Sequence, residues 1–103
     1  MATFYYNDGK EVECDDLHRV FKAGVLEMET PYVDGKIHGS MRCYYDTGEI
    51  DTEISMIKGV RQGYSRSYHR SGLISEESLY EKGKIVSSTT YDHKGDVIEK
   101  VTY

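Results

Sequence analysis

The sequence predicts an all-β protein, a single curved antiparallel meander of repeated hairpins. Three observations predict it: glycines recur at a fixed period, aromatic residues keep the same register, and apolar residues alternate with polar ones between them. Gly24, Gly48, Gly72 and Gly95 each open a unit, at spacings of 24, 24 and 23 residues. A second glycine follows eleven residues later at Gly35, Gly59 and Gly83, and a third four further on at Gly39 and Gly63, where the next unit has Ser87. Tyr44-Tyr45 ahead of Gly48 answers to Tyr68-His69 ahead of Gly72 and, with one residue deleted, to Tyr91-Asp92 ahead of Gly95. One domain of 103 residues follows, with an irregular N-terminal unit 1–23, repeats 24–47, 48–71 and 72–94, and a partial unit 95–103.

At the N-terminus, Tyr5-Tyr6-Asn7-Asp8-Gly9 matches the end of a unit, but only 15 residues separate Gly9 from Gly24. Residues 15–22 therefore admit two readings: a shortened hairpin, or a short helix with Asp15 as N-cap and Gly24 at C′. In the first full unit Leu26, Met28, Thr30 and Tyr32 point one way, against Val25, Glu27 and Glu29. The second repeats this with Ile50, Thr52, Ile54 and Met56 against Glu49, Asp51, Glu53 and Ser55. That is period two, the mark of a half-buried strand. The third unit is weaker, because Glu76 and Ser78 fall on the apolar side between Ile74 and Tyr80.

Asp34-Gly35, Lys58-Gly59, Lys82-Gly83, Thr47-Gly48, Ser71-Gly72 and Lys94-Gly95 mark the turns, since glycine supplies the positive φ that tight hairpins need. Pro31 falls within a strand, where it removes one ladder hydrogen bond and favours an edge or a bulge.

Composition bounds the function. Leu, Ile, Val and Phe supply 21 of 103 residues, near the roughly 20% level where disorder becomes an alternative. Ten tyrosines answer that, because a tyrosine buries a large ring while its hydroxyl stays in water. The net charge of −5 repels phosphate backbones and anionic lipid, so neither direct nucleic-acid binding nor membrane binding is expected. No basic region followed by an apolar run opens the chain, and Cys14 and Cys43 lack CxxC spacing, so both are read as free thiols of a cytoplasmic protein.

The phrase Tyr32-Val33-Asp34-Gly35-Lys36-Ile37-His38-Gly39, followed by Tyr44-Tyr45-Asp46-Thr47-Gly48, resembles the MORN repeat, in particular its bacterial variant with a YxxGxxxG core leading into a Tyr-Tyr-x-x-Gly hairpin. The match continues over residues 56–72 and 80–95. Met56 replaces the first Tyr of one core, Ser87 the second Gly of another, and the Trp or Phe often found just after that Gly is absent. The resemblance implies MORN-like hairpins and a binding module, since bacterial proteins of this kind are commonly antitoxin or immunity components.

No residue pattern points to catalysis, and no cofactor or metal is expected. His18, His38, His69 and His93 are scattered, and HExxH, EF-hand and GxSxG arrangements are missing. Two features point to protein binding. Glu27, Glu29, Asp51, Glu53 and Glu77 recur at matching repeat positions opposite the apolar residues, and strands two apart would step them by roughly 9 to 10 Å. Either they face a basic partner, or Arg42 and Arg66 on the intervening strands pair with them for a few tenths of a kcal/mol each. Tyr44, Tyr68 and Tyr91 form one tyrosine row, suited to contact because a rigid ring costs little entropy to order. Tyr32, Tyr80 and Tyr103 form another, read as core filling.

The expected function is that of an antitoxin or immunity-type inhibitor, covering a basic toxin or nuclease with an acidic, tyrosine-bearing face. A phage-encoded acidic mimic of nucleic acid is the alternative. A self-assembling scaffold is the third reading, in which an open edge strand pairs with a second copy to give a homodimer.

Overall fold

The computed structural model describes residues 3–7, 10–14 and 16–103, and among them every regular element is a strand. β1 (Thr3–Asn7) and β2 (Lys10–Cys14) pair as a separate hairpin that approaches β3 and β4 without joining their ladder. The remaining strands are β3 (Asp16–Lys22), β4 (Val25–Val33), β5 (Lys36–Ile37), β6 (Gly39–Tyr44), β7 (Ile50–Ile57), β8 (Val60–Tyr68), β9 (Ile74–Glu81), β10 (Lys84–Tyr91) and β11 (Val97–Thr102). They form one open antiparallel sheet in the order β3-β4-β6-β7-β8-β9-β10-β11, with β5 also on β4, so the chain is the meander that its periodicity predicts.

Residues 16–22 form a strand, which settles the N-terminal ambiguity in favour of the shortened hairpin and excludes the helix there; Asp15 lies outside the described residues. Pairing decides this: β3 runs in register with β4 from Asp16 opposite Tyr32 to Lys22 opposite Val25, so its backbone groups are taken up by a ladder rather than by a helix.

Two kinds of turn alternate. Asp34-Gly35, Lys58-Gly59 and Lys82-Gly83 are two-residue loops with both φ values positive, near 50° and then 76–84°, the type I′ geometry that matches strand twist. Ala23-Gly24 is of this kind too, with φ 52° and 81°, which is how the first hairpin is shortened. The loops ending in Gly48, Gly72 and Gly95 are longer, closed by Gly48 N to Tyr45 O at 3.0 Å, Gly72 N to His69 O at 2.9 Å and Gly95 N to Asp92 O at 3.1 Å.

The ladder is bulged at equivalent places in every unit. Phe21 pairs with Leu26 and Val20 with Met28, so Glu27 is an extra residue; Asp51, Ser75 and Ile98 are its counterparts in β7, β9 and β11. Each bulge reverses the alternation ahead of it. Ile50 consequently shares a face with Tyr44 and Glu53, not with Thr52 and Ile54 as simple alternation predicts, and Leu26 is likewise turned to the side of Phe21. A second irregularity lies around His38 and Gln62, where two extra residues oppose Pro31 or Ser55; in the third unit Val86 alone is extra. Pro31 is thus at a bulge, as expected of a strand proline, although in an interior strand and under 2% exposed. The shorter bulge also explains Ser87. Gly39 and Gly63 have φ 113° and 93°, whereas Ser87 is not among the positive-φ residues, so no glycine is required there.

A single layer buries little. Pro31 is the one large side chain below 2% exposure among the described residues, and the next most enclosed positions are polar or charged: Glu29, Thr30, Ser40, Arg42 and Ser78. Tyr32 and Tyr80 are half-buried, but Tyr103 is 67% exposed and does not fill a core.

Candidate protein-binding face

Cross-strand pairing assembles a row across the sheet: Arg19, Glu29, Arg42, Glu53, Arg66, Glu77, Thr89 and Lys100, one residue from each strand of the sheet except β5. Directly opposed residues share a face, so the row is a ladder whose charge alternates from Arg19 to Glu77. Three ion pairs close within it. Arg19 Nε lies 2.9 Å from Glu29 Oε2, Arg42 Nε 2.9 Å from Glu53 Oε2, and Arg66 Nε 2.7 Å from Glu77 Oε2. Burial alone would depress the Arg42 guanidinium, yet the hydrogen bond and charge of Glu53 outweigh it and hold the group above its ordinary value.

The five carboxylates expected on one face are therefore divided. Glu29, Glu53 and Glu77 stand in the ladder, each bonded to an arginine. Glu27 and Asp51 occupy bulges on the other face, where they flank Cys43. The Cys43 thiol is pushed up first by burial and then by the charges of Asp51 and Glu27. The reason is local: the extra residue at each bulge turns Glu27 and Asp51 out of the phase kept by Glu29 and Glu53. On this thiol face the row Cys43, Thr52, Ser67, Glu76, Thr90 and Glu99 adds two exposed carboxylates that the repeat alignment omits. The irregular alternation at Glu76 is the sequence signal for them. Among the described residues, Glu27, Asp51, Glu76 and Glu99 take part in no ion pair.

Tyr44, Tyr68 and Tyr91 lie on the ladder face, two residues beyond Arg42, Arg66 and Thr89, and pair with Ile50, Ile74 and Val97. With Phe21 opposite Leu26 they form an aromatic and aliphatic stripe beside the charges. All three tyrosines are half-buried, while Phe21 and Val97 at the two ends are 60% and 56% exposed. Burial, and then the neighbouring Glu29, push the Tyr44 phenol up, so it stays protonated at neutral pH.

The residues after Tyr44 and Tyr68 tie neighbouring hairpins together. The Tyr45 hydroxyl donates to the Tyr68 carbonyl, and His69 Nε2 lies 3.4 Å from the Tyr91 carbonyl. Arg70 covers the Tyr45 ring at 4.6 Å and bonds Asp46 at 2.8 Å, a hydrogen bond that holds the Asp46 carboxyl below its ordinary value. His93, at the matching position, stacks on His69 at 4.2 Å. In the last of these loops Asp92 accepts from the backbone N–H groups of Lys94 and Asp96 at 2.9 and 3.0 Å, which hold it below its usual range. At the opposite end Lys58 N donates to His38 Nδ1 at 3.2 Å and Lys82 N to Gln62 Oε1 at 2.9 Å. His38 and His69 are thus committed to holding turns. Among the described residues no three His, Cys, Asp or Glu side chains gather as a metal site, and Cys43 is a free thiol; the Cys14 side chain lies outside the described residues.

No protein-family model matches this chain, and no curated protein matches it significantly. No helix among the described residues is long and apolar enough to cross a membrane.

Proposed function

We propose that this protein is a non-enzymatic, cytoplasmic inhibitor of the antitoxin or immunity type that covers a basic toxin or nuclease with its ladder face. The observation carrying this reading is the register of Tyr44, Tyr68 and Tyr91, aligned on one open face at every second strand beside a row of paired charges. Tyrosines so spaced make contact points roughly 9 to 10 Å apart. Aromatic anchors ringed by polar groups are the usual energetic centre of an interface. The ion pairs hold the surface rigid, which lowers the ordering cost of association. The net charge of −5, to which the unpaired Glu27 and Asp51 contribute, steers encounter with a cationic partner without requiring that these residues touch it. The resemblance to bacterial MORN-like repeats supports the same class of function.

A second reading, mimicry of nucleic acid, is favoured by the unpaired Glu27, Asp51, Glu76 and Glu99 of the thiol face. Affinity capture from the native host distinguishes the two. Under the first reading, Tyr44→Val with Tyr68→Val and Tyr91→Val abolishes capture of one basic protein, whose toxic or nuclease activity the wild-type chain blocks at equimolar ratio. Retention by this variant, with loss on Glu27→Lys, Glu76→Lys and Glu99→Lys together, would transfer the proposal to the mimic. A captured protein whose activity persists at equimolar ratio would remove both.

A further inference from the structure

The register makes Lys22 the counterpart of Tyr45 and His69, because Phe21 opposite Leu26 matches Tyr44 opposite Ile50 and Tyr68 opposite Ile74. Tyr45 spans to the Tyr68 carbonyl and His69 to the Tyr91 carbonyl, so each seals the seam between its own hairpin and the next. The matching seam between the β3–β4 hairpin and Tyr44 is not sealed. Among the described residues no side chain bonds the Tyr44 carbonyl, and the side chain of Lys22, which ends a strand closed by the short Ala23-Gly24 turn, makes no hydrogen bond. A groove of about 400 Å³ opens there instead, lined by Lys22, Val25, Leu26, Glu27, Tyr44 and Asp46 among others.

We propose that this groove is the anchoring pocket for a tyrosine side chain of the protein partner, its ring lying on Val25 and Leu26 and its hydroxyl donating to the Tyr44 carbonyl. The chain itself specifies this occupant: in the next seam the same site is filled by the ring of Tyr45, whose hydroxyl takes the equivalent carbonyl. Val25 is 38% exposed in the groove, apolar surface that a ring would cover. Glu27 and Asp46 at the rim suit a partner that carries cationic residues next to its tyrosine. A ring inserted between packed walls, with its polar end satisfied, is the usual form of an interface anchor. The inference deepens the inhibitor reading and rests on it for the origin of the tyrosine, but the pocket can be tested without the partner.

The test titrates p-cresol, and toluene as the analogue lacking the hydroxyl, into the full chain while backbone amide resonances are followed. p-Cresol is expected to shift Val25, Leu26 and Tyr44 in a saturable manner near millimolar concentration. It should bind about three- to tenfold more tightly than toluene, the worth of one net hydrogen bond. Lys22→Tyr is expected to raise the melting temperature and abolish p-cresol binding by supplying the missing ring, whereas Lys22→Met leaves p-cresol binding in place. Equal affinity for the two probes, shifts spread over the sheet, or a Lys22→Tyr chain that melts and binds p-cresol as the wild type does would overturn the pocket. If the same amides move on dilution of the protein alone, the groove belongs to a second copy and the partner-derived tyrosine is wrong. Tyrosine-row variants that lose capture while p-cresol fails would leave the inhibitor reading standing without its anchor.

Discussion

Arg42 and Glu53 face each other across β6 and β7 with their side chains only 11% and 12% exposed, which makes theirs the most enclosed ion pair of the ladder. A pair at this depth has given up most of its hydration, and its two members depend on each other. Glu53→Leu should cost about 3 kcal/mol, since it strands a guanidinium in a poorly hydrated place. The Arg66–Glu77 pair is 28% and 27% exposed, and Glu77→Leu should cost only about 1 kcal/mol because water shields the remaining arginine. Arg42→Met combined with Glu53→Leu should return stability to near the wild-type level. Urea unfolding of the four chains measures this, and a double variant no more stable than Glu53→Leu alone would show that the pair does more than cancel its own desolvation.

Gly63 and Gly72 share a φ of 93° but differ in surroundings. A Cβ on Gly63 would come 3.3 Å from Ser55 Oγ, whereas one on Gly72 would meet nothing within 4 Å. Alanine at either site should cost about 1 to 2 kcal/mol for the left-handed backbone, with Gly63→Ala the more harmful. Ser55→Ala should recover the difference between them and leave the Gly72→Ala cost unchanged. Thermal melts of this set decide the matter, and equal costs for both glycines would remove the Ser55 contact from the account.

Cys43 reports on which face carries Asp51. Burial first, and then Asp51 and Glu27, push its thiol up, so in a Cys14→Ser background its alkylation should rise with pH later than that of an unhindered cysteine. Asp51→Asn should shift the midpoint of that profile downward, because removing a nearby negative charge makes the thiolate easier to form. The sign for stability is equally definite. A thiol whose folded pKa is raised contributes stability that is fully present below its unfolded value and lost as pH rises through the folded one. An alkylation profile indifferent to Asp51→Asn would return Asp51 to the ladder face.

Much of the architecture was legible because the glycine period carries it. Turn positions such as Asp34-Gly35 and Lys58-Gly59 are dictated by φ, a property of one or two residues, and the strands between them follow from alternation over eight or nine positions. The tyrosine row was legible for the same reason. The bulges at Glu27 and Asp51 were not, since an inserted residue changes neither composition nor period; it only changes which face each neighbour meets, and that is decided by the strand opposite.

The sequence by itself determined the repeat, the antiparallel meander, the turn sites and the order in which strands meet, because these depend on local backbone preference and on a period of about two dozen residues. Only the tertiary structure decided which charges are spent on one another. Whether Glu53 offers a free carboxylate or is held by Arg42 depends on pairing register across two strands, and register depends on where each hairpin places its extra residue. The open groove beside Tyr44 has the same origin. It exists because one short turn ends its strand in Lys22 where the following hairpins place Tyr45 and His69, a difference that acquires meaning only when neighbouring seams lie side by side.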